Sequence, residues 1–117
     1  MNAVLLVSHG SRSRKSREEI DALAARLTAA SGAGIFESAF LEIEEPSIPA
    51  GLANCVRRGA TRITVLLNFL NSGRHVLEDV PRIVAEFEAS HAGVECRLTP
   101  RVGSHPQMDS LYLDLIK

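Results

Sequence analysis

The chain has 117 residues, enough for one domain and not two, with 45% hydrophobic, 23% charged and 4% aromatic side chains. That balance suits a packed globular core and excludes a disordered chain or a disulfide scaffold. Thirteen basic residues against fourteen acidic ones leave a net charge of −1, so no general basic field points to nucleic acid or an anionic membrane.

The longest apolar runs, such as residues 3–7, fall far short of the ~20 residues a membrane span needs. Met1-Asn2 is no basic leader. Cys55 and Cys96 stand apart without a CxxC spacing. They read as core thiols, and a reducing, cytoplasmic setting is the expectation.

Strand and helix signals alternate along the chain. Ala3 to Ser8 is a continuous apolar run of the kind found in strands buried on both faces. Ser16-x-x-Glu19 has the form of a capping box, and Ile20, Leu23 and Leu27 give the following helix one apolar face. Gly32 and Gly34 stop it, and Ile35 to Leu41 read as a second strand.

Pro46 and Pro49 suit the first turn of a second helix, which Leu52, Cys55 and Val56 carry to Gly59. Arg62 to Asn68 is a third strand, rich in β-branched residues. A loop over residues 69–79 leads to a helix marked by Val80, Ile83, Val84 and Phe87, with Asp79 as its cap and Pro81 in its first turn. Gly93 ends it, Val94 to Leu98 form a fourth strand, and Ser104 to Leu115 form a last helix. This βαβα pattern predicts one α/β domain over residues 1–117, with a parallel sheet and helices on both faces. Ligands of such sheets sit beyond the carboxyl ends of the strands.

His9 follows the first strand directly, Glu42 closes the second, and the third runs into Leu70-Asn71-Ser72-Gly73-Arg74-His75. A strand order of 2-1-3-4 brings two imidazoles and a carboxylate to one rim. Such donors suit borderline divalent metals and can also accept protons. Each residue also has a plainer role open to it: His9 as a turn residue, His75 as a loop residue, Glu42 as part of a solvated acidic turn with Glu44 and Glu45. His91 at a helix C-terminus and His105 beside Pro106 read as structural. Arg12, Arg14, Lys15 and Arg17 form a local basic cluster, either a solvated helix start or an attractor for a carboxylate-rich ligand. The small residues Asn71, Ser72 and Gly73 let backbone approach a flat ligand. No GxxxxGK[ST] or GxGxxG is present.

Taken together, LLVSHGSR (residues 5–12), AFLE followed by Pro46, GATRITVLLNFLNSGRHVLEDVP (residues 59–81) and a late GSHP (residues 103–106) resemble the small sirohydrochlorin cobaltochelatases and ferrochelatases. These are the ATP-independent class II chelatases of corrin and siroheme synthesis. The resemblance covers nearly the whole chain. It implies a chelatase-like three-layer sandwich with a four-stranded parallel sheet, present as a single half-unit, and a homodimer that places the cleft between two copies. It implies insertion of Co²⁺ or Fe²⁺ into sirohydrochlorin with no further cofactor. The absence of a His-rich tract makes nickel a weaker candidate without excluding it. His9 and His75 match the family's metal ligands and His9 its proton acceptor, with Glu42 the associated acid. Residues 70–74 match the stretch lining the tetrapyrrole and Glu45 a substrate contact, while Ser11 and Arg12, beside the basic cluster that would meet the substrate's carboxylates, are expected to bind substrate too. Two alternatives stand beside this reading: a non-catalytic metal or tetrapyrrole carrier, and a histidine phosphatase, for which Ser8-His9-Gly10 lacks the preceding arginine.

Overall fold

The computed structural model describes residues 1–117, the side chain of His75 excepted. Four strands, β1 (Asn2–Ser8), β2 (Ile35–Phe40), β3 (Arg62–Leu67) and β4 (Glu95–Leu98), form one parallel sheet in the order β2-β1-β3-β4. This is the order that the sequence reading assumed. Val7 stands level with Ala39 on one side and Leu67 on the other. The chain therefore leaves β1 between the ends of β2 and β3, and His9 is the second residue past that point.

Alternation along the strands separates two faces. Ala3, Leu5 and Val7 share one face with Ile35, Ala39, Ile63, Val65 and Leu67. Helices α2 (Ile48–Arg57) and α3 (Val80–Ala89) cover it with Ile48, Leu52, Cys55, Val80, Val84 and Phe87, and all of these side chains are buried. Burying each large aliphatic group stabilises the fold by about 1.5–3 kcal/mol. Glu37 falls on the same face and escapes the apolar layer through Arg58 at the C-cap of α2, 2.6 Å away.

The opposite face is only half covered. Helix α1 (Arg14–Ser31) packs along β2, and Leu6 and Phe40 are fully buried on that side. Its apolar stripe of Ile20, Leu23, Ala24 and Leu27 is half-buried, and no α1 residue is fully buried. Toward β3 the same face stays open: Val4, Thr64 and Leu66 are half-exposed. A shallow cavity of about 380 Å³ runs over Val4, Thr64 and Arg97. Helix α4 (Met108–Leu115) does not fill it, since Leu111, Tyr112, Leu113 and Leu115 are each more than half exposed.

Several boundaries differ from the sequence reading, each for a local reason. The cap of α1 is Ser13, whose extended backbone (φ −80°, ψ 122°) lets its Oγ accept from the Ser16 N–H. Ser16 and Glu19 therefore lie inside the helix and form no capping box. Pro46 precedes the true cap of α2, Ser47, so only Pro49 lies in the first turn. Asp79 is helical (φ −74°, ψ −43°) and makes no capping hydrogen bond, because residues His75–Asp79 form a π-helical turn that runs straight into α3. The last helix begins at Met108. Ser104 closes a 3₁₀ turn (Val102–Ser104), and its Oγ–H donates to the Arg101 carbonyl.

Candidate metal and tetrapyrrole site

The carboxyl edge of the sheet is cross-tied around His9. The Asn68 N–H donates to the Val7 carbonyl (2.9 Å), and the Asn68 Nδ2–H donates to the Oγ of buried Ser8 (3.1 Å). From the other side, Leu41 N–H donates to the Ser8 carbonyl (2.9 Å) and Glu42 N–H to the His9 carbonyl (3.1 Å). Gly10 has φ +103°, and a Cβ there would overlap the Glu42 carbonyl oxygen. Only glycine lets the two loops close this tightly.

That closure joins two of the expected site residues. His9 Nε2–H donates to Glu42 Oε1 at 2.8 Å, and both side chains are half-exposed. A carboxylate oxygen accepts, so the imidazole Nε2 is the donor in this pair. Moving the proton to Nδ1 frees Nε2 beside the carboxylate. Two atoms bound at ~2.1 Å to one divalent ion at right angles lie about 3 Å apart, close to the separation seen here. The pair is thus spaced to take an ion between them, and its exposure lets an ion enter and leave.

The loop after β2 braces this pair. Ile43 has φ +72°, and Glu44 N–H donates to the Glu42 carbonyl at 2.8 Å, which defines a strained γ-turn. A β-branched residue held there costs on the order of 1–3 kcal/mol. Glu44, largely buried, accepts from the Ser11 N–H (2.9 Å) and lies 3.6 Å from Arg17. Arg17 also donates to the Glu45 carbonyl and to Asp21 (3.1 Å each) and lies over the Phe40 ring at 4.7 Å. It is therefore tied into the loop, whereas Arg12, Arg14 and Lys15 remain exposed. Ser11 is a loop brace too: its Oγ accepts from the Ser13 N–H. The Glu45 side chain is exposed at the rim.

Across His9, the loop after β3 presents Leu70, Asn71, Ser72, Gly73 and Arg74, all exposed, over buried Phe69 and Val76. Arg74 pairs with Glu78 at 3.4 Å. The late GSHP motif holds this loop from behind. Gly103 N–H donates to the Phe69 carbonyl (2.9 Å) and Arg101 Nε–H to the Leu70 carbonyl (3.2 Å). A Cβ on Gly103 would overlap the Leu70 carbonyl. The side chain of His75 lies outside the described residues, but its backbone opens the π-helical turn, a rare conformation concentrated at functional sites. Among the described residues no group of three His, Cys, Asp or Glu side chains is spaced to hold an ion.

His91 Nδ1–H donates to the Phe87 carbonyl (2.9 Å) while the ring stacks on Phe87, and His105 Nδ1 accepts from Gln107 N–H (3.0 Å), so both are structural. Cys55 is buried and Cys96 half-buried, both as free thiols. Burial pushes each up from 9.0 to about 11, with nearby Glu37 adding for Cys55 and Glu88 for Cys96. Sequence reasoning missed Ile43, Glu44, Arg101 and Gly103. Gly103 stood inside a recognised motif, and Glu44 inside the acidic turn, but neither residue type announces a brace.

The CbiX family model matches residues 3–117. The chain belongs to the CbiX family. It is 32% identical over 115 residues to the chloroplastic sirohydrochlorin ferrochelatase of Arabidopsis thaliana, covering 98% of this chain and 49% of the plant protein. Its fold matches a CbiX protein of cobalamin biosynthesis from Marinobacter aquaeolei with a TM-score of 0.83 and 28% identity, covering 99% of this chain and 94% of that one. It also matches the sirohydrochlorin chelatase SirB of Bacillus subtilis subspecies spizizenii, solved in complex with cobalt, with a TM-score of 0.87 and 29% identity. That match covers 98% of this chain and 50% of SirB. The chain thus spans about half the length of several relatives, and as much as 94% of one CbiX structure.

Proposed function

We propose that this CbiX protein is a chelatase, a lyase that inserts Co²⁺ or Fe²⁺ into sirohydrochlorin without ATP. The observation that carries the reading is the His9–Glu42 pair, held at 2.8 Å and half-exposed on the carboxyl edge of a parallel sheet. Insertion exchanges one divalent ion for two pyrrole N–H protons. Nε2 of His9 and Oε1 of Glu42 hold the ion first; once the ion passes to the macrocycle, each freed group takes one proton. The same two atoms then serve as ligands and as bases, so the ion must be bound loosely. His75, at the start of the π-helical turn on the other side of His9, is assigned as a second ligand because it completes the GRH motif. The exposed Arg12 and Arg74 suit the macrocycle's carboxylates, Glu45 lines the rim, and Leu70 to Gly73 face its plane.

A second copy of the chain completes the assembly in this reading. Support comes from the half-open sheet face and from α4, whose apolar residues lie unpartnered. Asp109 of α4 is opposite in charge to Arg97 beside the open face. Two of the relatives named above are about twice as long as this chain, which covers 49% and 50% of them. The two cysteines stand as free thiols, which supports a reducing, cytoplasmic setting.

The test is anaerobic absorbance of sirohydrochlorin with Co²⁺ or Fe²⁺. Conversion well above the no-protein rate, lost in His9→Ala and His75→Ala, is the expected result. Tight tetrapyrrole binding with no acceleration would make the protein a carrier, and no binding would refute the assignment.

A further inference from the structure

Apart from Met1 and the stretch from Leu111 to Ile116, the large hydrophobic side chains left exposed among the described residues are Ile43, Leu70 and Leu77. Ile43 and Leu70 lie in the loops that leave β2 and β3, on either side of His9, and Leu77 lies in the π-helical turn beyond the second of these. Ile43 is the least explained of them. A γ-turn at φ +72° is served best by Gly, and Asn or Asp tolerate it, while a β-branched residue does not. Packing gives nothing in return, since the side chain is 58% exposed. Neither the backbone nor the core accounts for an isoleucine here.

We propose that Ile43 is a substrate-contacting residue: the strained turn presents its side chain to the apolar face of the tetrapyrrole, opposite Leu70, beside the carboxylate that pairs with His9. This rests on the chelatase reading above. Its neighbours support a ligand that is flat and apolar at the centre and anionic at the margin. Aliphatic groups flank the His9–Glu42 pair, and two exposed cations stand in the loops of the same sheet edge, Arg12 after β1 and Arg74 after β3.

The experiment uses the full chain with Ile43→Asn, which keeps the turn and removes the apolar group, and Ile43→Leu, which restores one. Sirohydrochlorin affinity is read by absorbance titration, Co²⁺ affinity by a separate metal titration, and folding by thermal melting. The expected result is a sirohydrochlorin Kd about tenfold weaker in Ile43→Asn and within threefold of wild type in Ile43→Leu. Co²⁺ affinity should stay within twofold, and Tm should be unchanged or higher. Unchanged sirohydrochlorin affinity in Ile43→Asn overturns the inference. So does a parallel loss of Co²⁺ affinity, which would make Ile43 a positioning residue for Glu42 instead. A wild-type chain that fails to bind sirohydrochlorin removes the proposed function and this inference together, whereas wild-type binding with an unaffected variant removes this inference alone.

Discussion

The two loops that flank His9 are built in opposite ways. The β2 side is locked: Glu44 ties Ser11 and Arg17, Arg17 ties Glu45 and covers Phe40, and Gly10 lets the Glu42 carbonyl close against the loop. The β3 side exposes five consecutive residues, 70–74, above two buried anchors, with the Gly103 and Arg101 bonds behind them. In the proposed chelatase reading the contrast separates two tasks. A metal-binding pair needs fixed geometry, while a cover for a large planar substrate needs side chains free to settle on it.

Substitutions that transfer disorder or rigidity between the flanks should break this contrast in a graded way. Gly10→Ala has the largest expected effect, because it adds both a left-handed strain and an overlap with the Glu42 carbonyl. We expect a stability loss on the order of 3 kcal/mol in chemical denaturation and loss of metal insertion. Gly103→Ala pushes on the Leu70 carbonyl from behind. It should cost about 2 kcal/mol and raise KM for the tetrapyrrole more than it lowers kcat, since the His9–Glu42 pair is untouched. Glu44→Gln keeps an acceptor for Ser11 but removes the charge facing Arg17, for a loss of about 1 kcal/mol in Tm-derived stability. Arg74→Ala should move stability by less than ~0.5 kcal/mol, because its pair with Glu78 is solvent-exposed. A raised KM in that variant would then report a direct contact with the substrate's carboxylates.

Much of this was legible in the chain. The runs of residues 3–8 and 62–68 read as strands, and the assumed order 2-1-3-4, which the sheet has, puts His9 between Glu42 and residues 70–75. The pairing of His9 with Glu42 follows from that order. What stayed hidden depends on contacts distant in sequence or on backbone states without a residue signature. Ser13 and Ser16 are equally good caps by type, and only the backbone chooses Ser13. Arg17 read as one of four clustered cations, solvated or ligand-facing, yet a carboxylate, a carbonyl and a ring from other segments claim it. Ile43 carries no turn signal, and the role of Gly103 depends on a carbonyl 33 positions away. The stripe Leu111 to Leu115 has the apolar pattern of a packed helix, yet these side chains stay more than half exposed.

The central claim is that His9 and Glu42 are the pair that accepts the divalent ion before transfer. An anaerobic Co²⁺ titration of the wild type, His9→Ala and Glu42→Gln, followed by the metal's visible absorption, tests it most directly. The account predicts saturable binding in the wild type, a Kd at least about tenfold weaker in Glu42→Gln, and no specific binding in His9→Ala. Binding of Co²⁺ by His9→Ala with wild-type affinity and spectrum would contradict it.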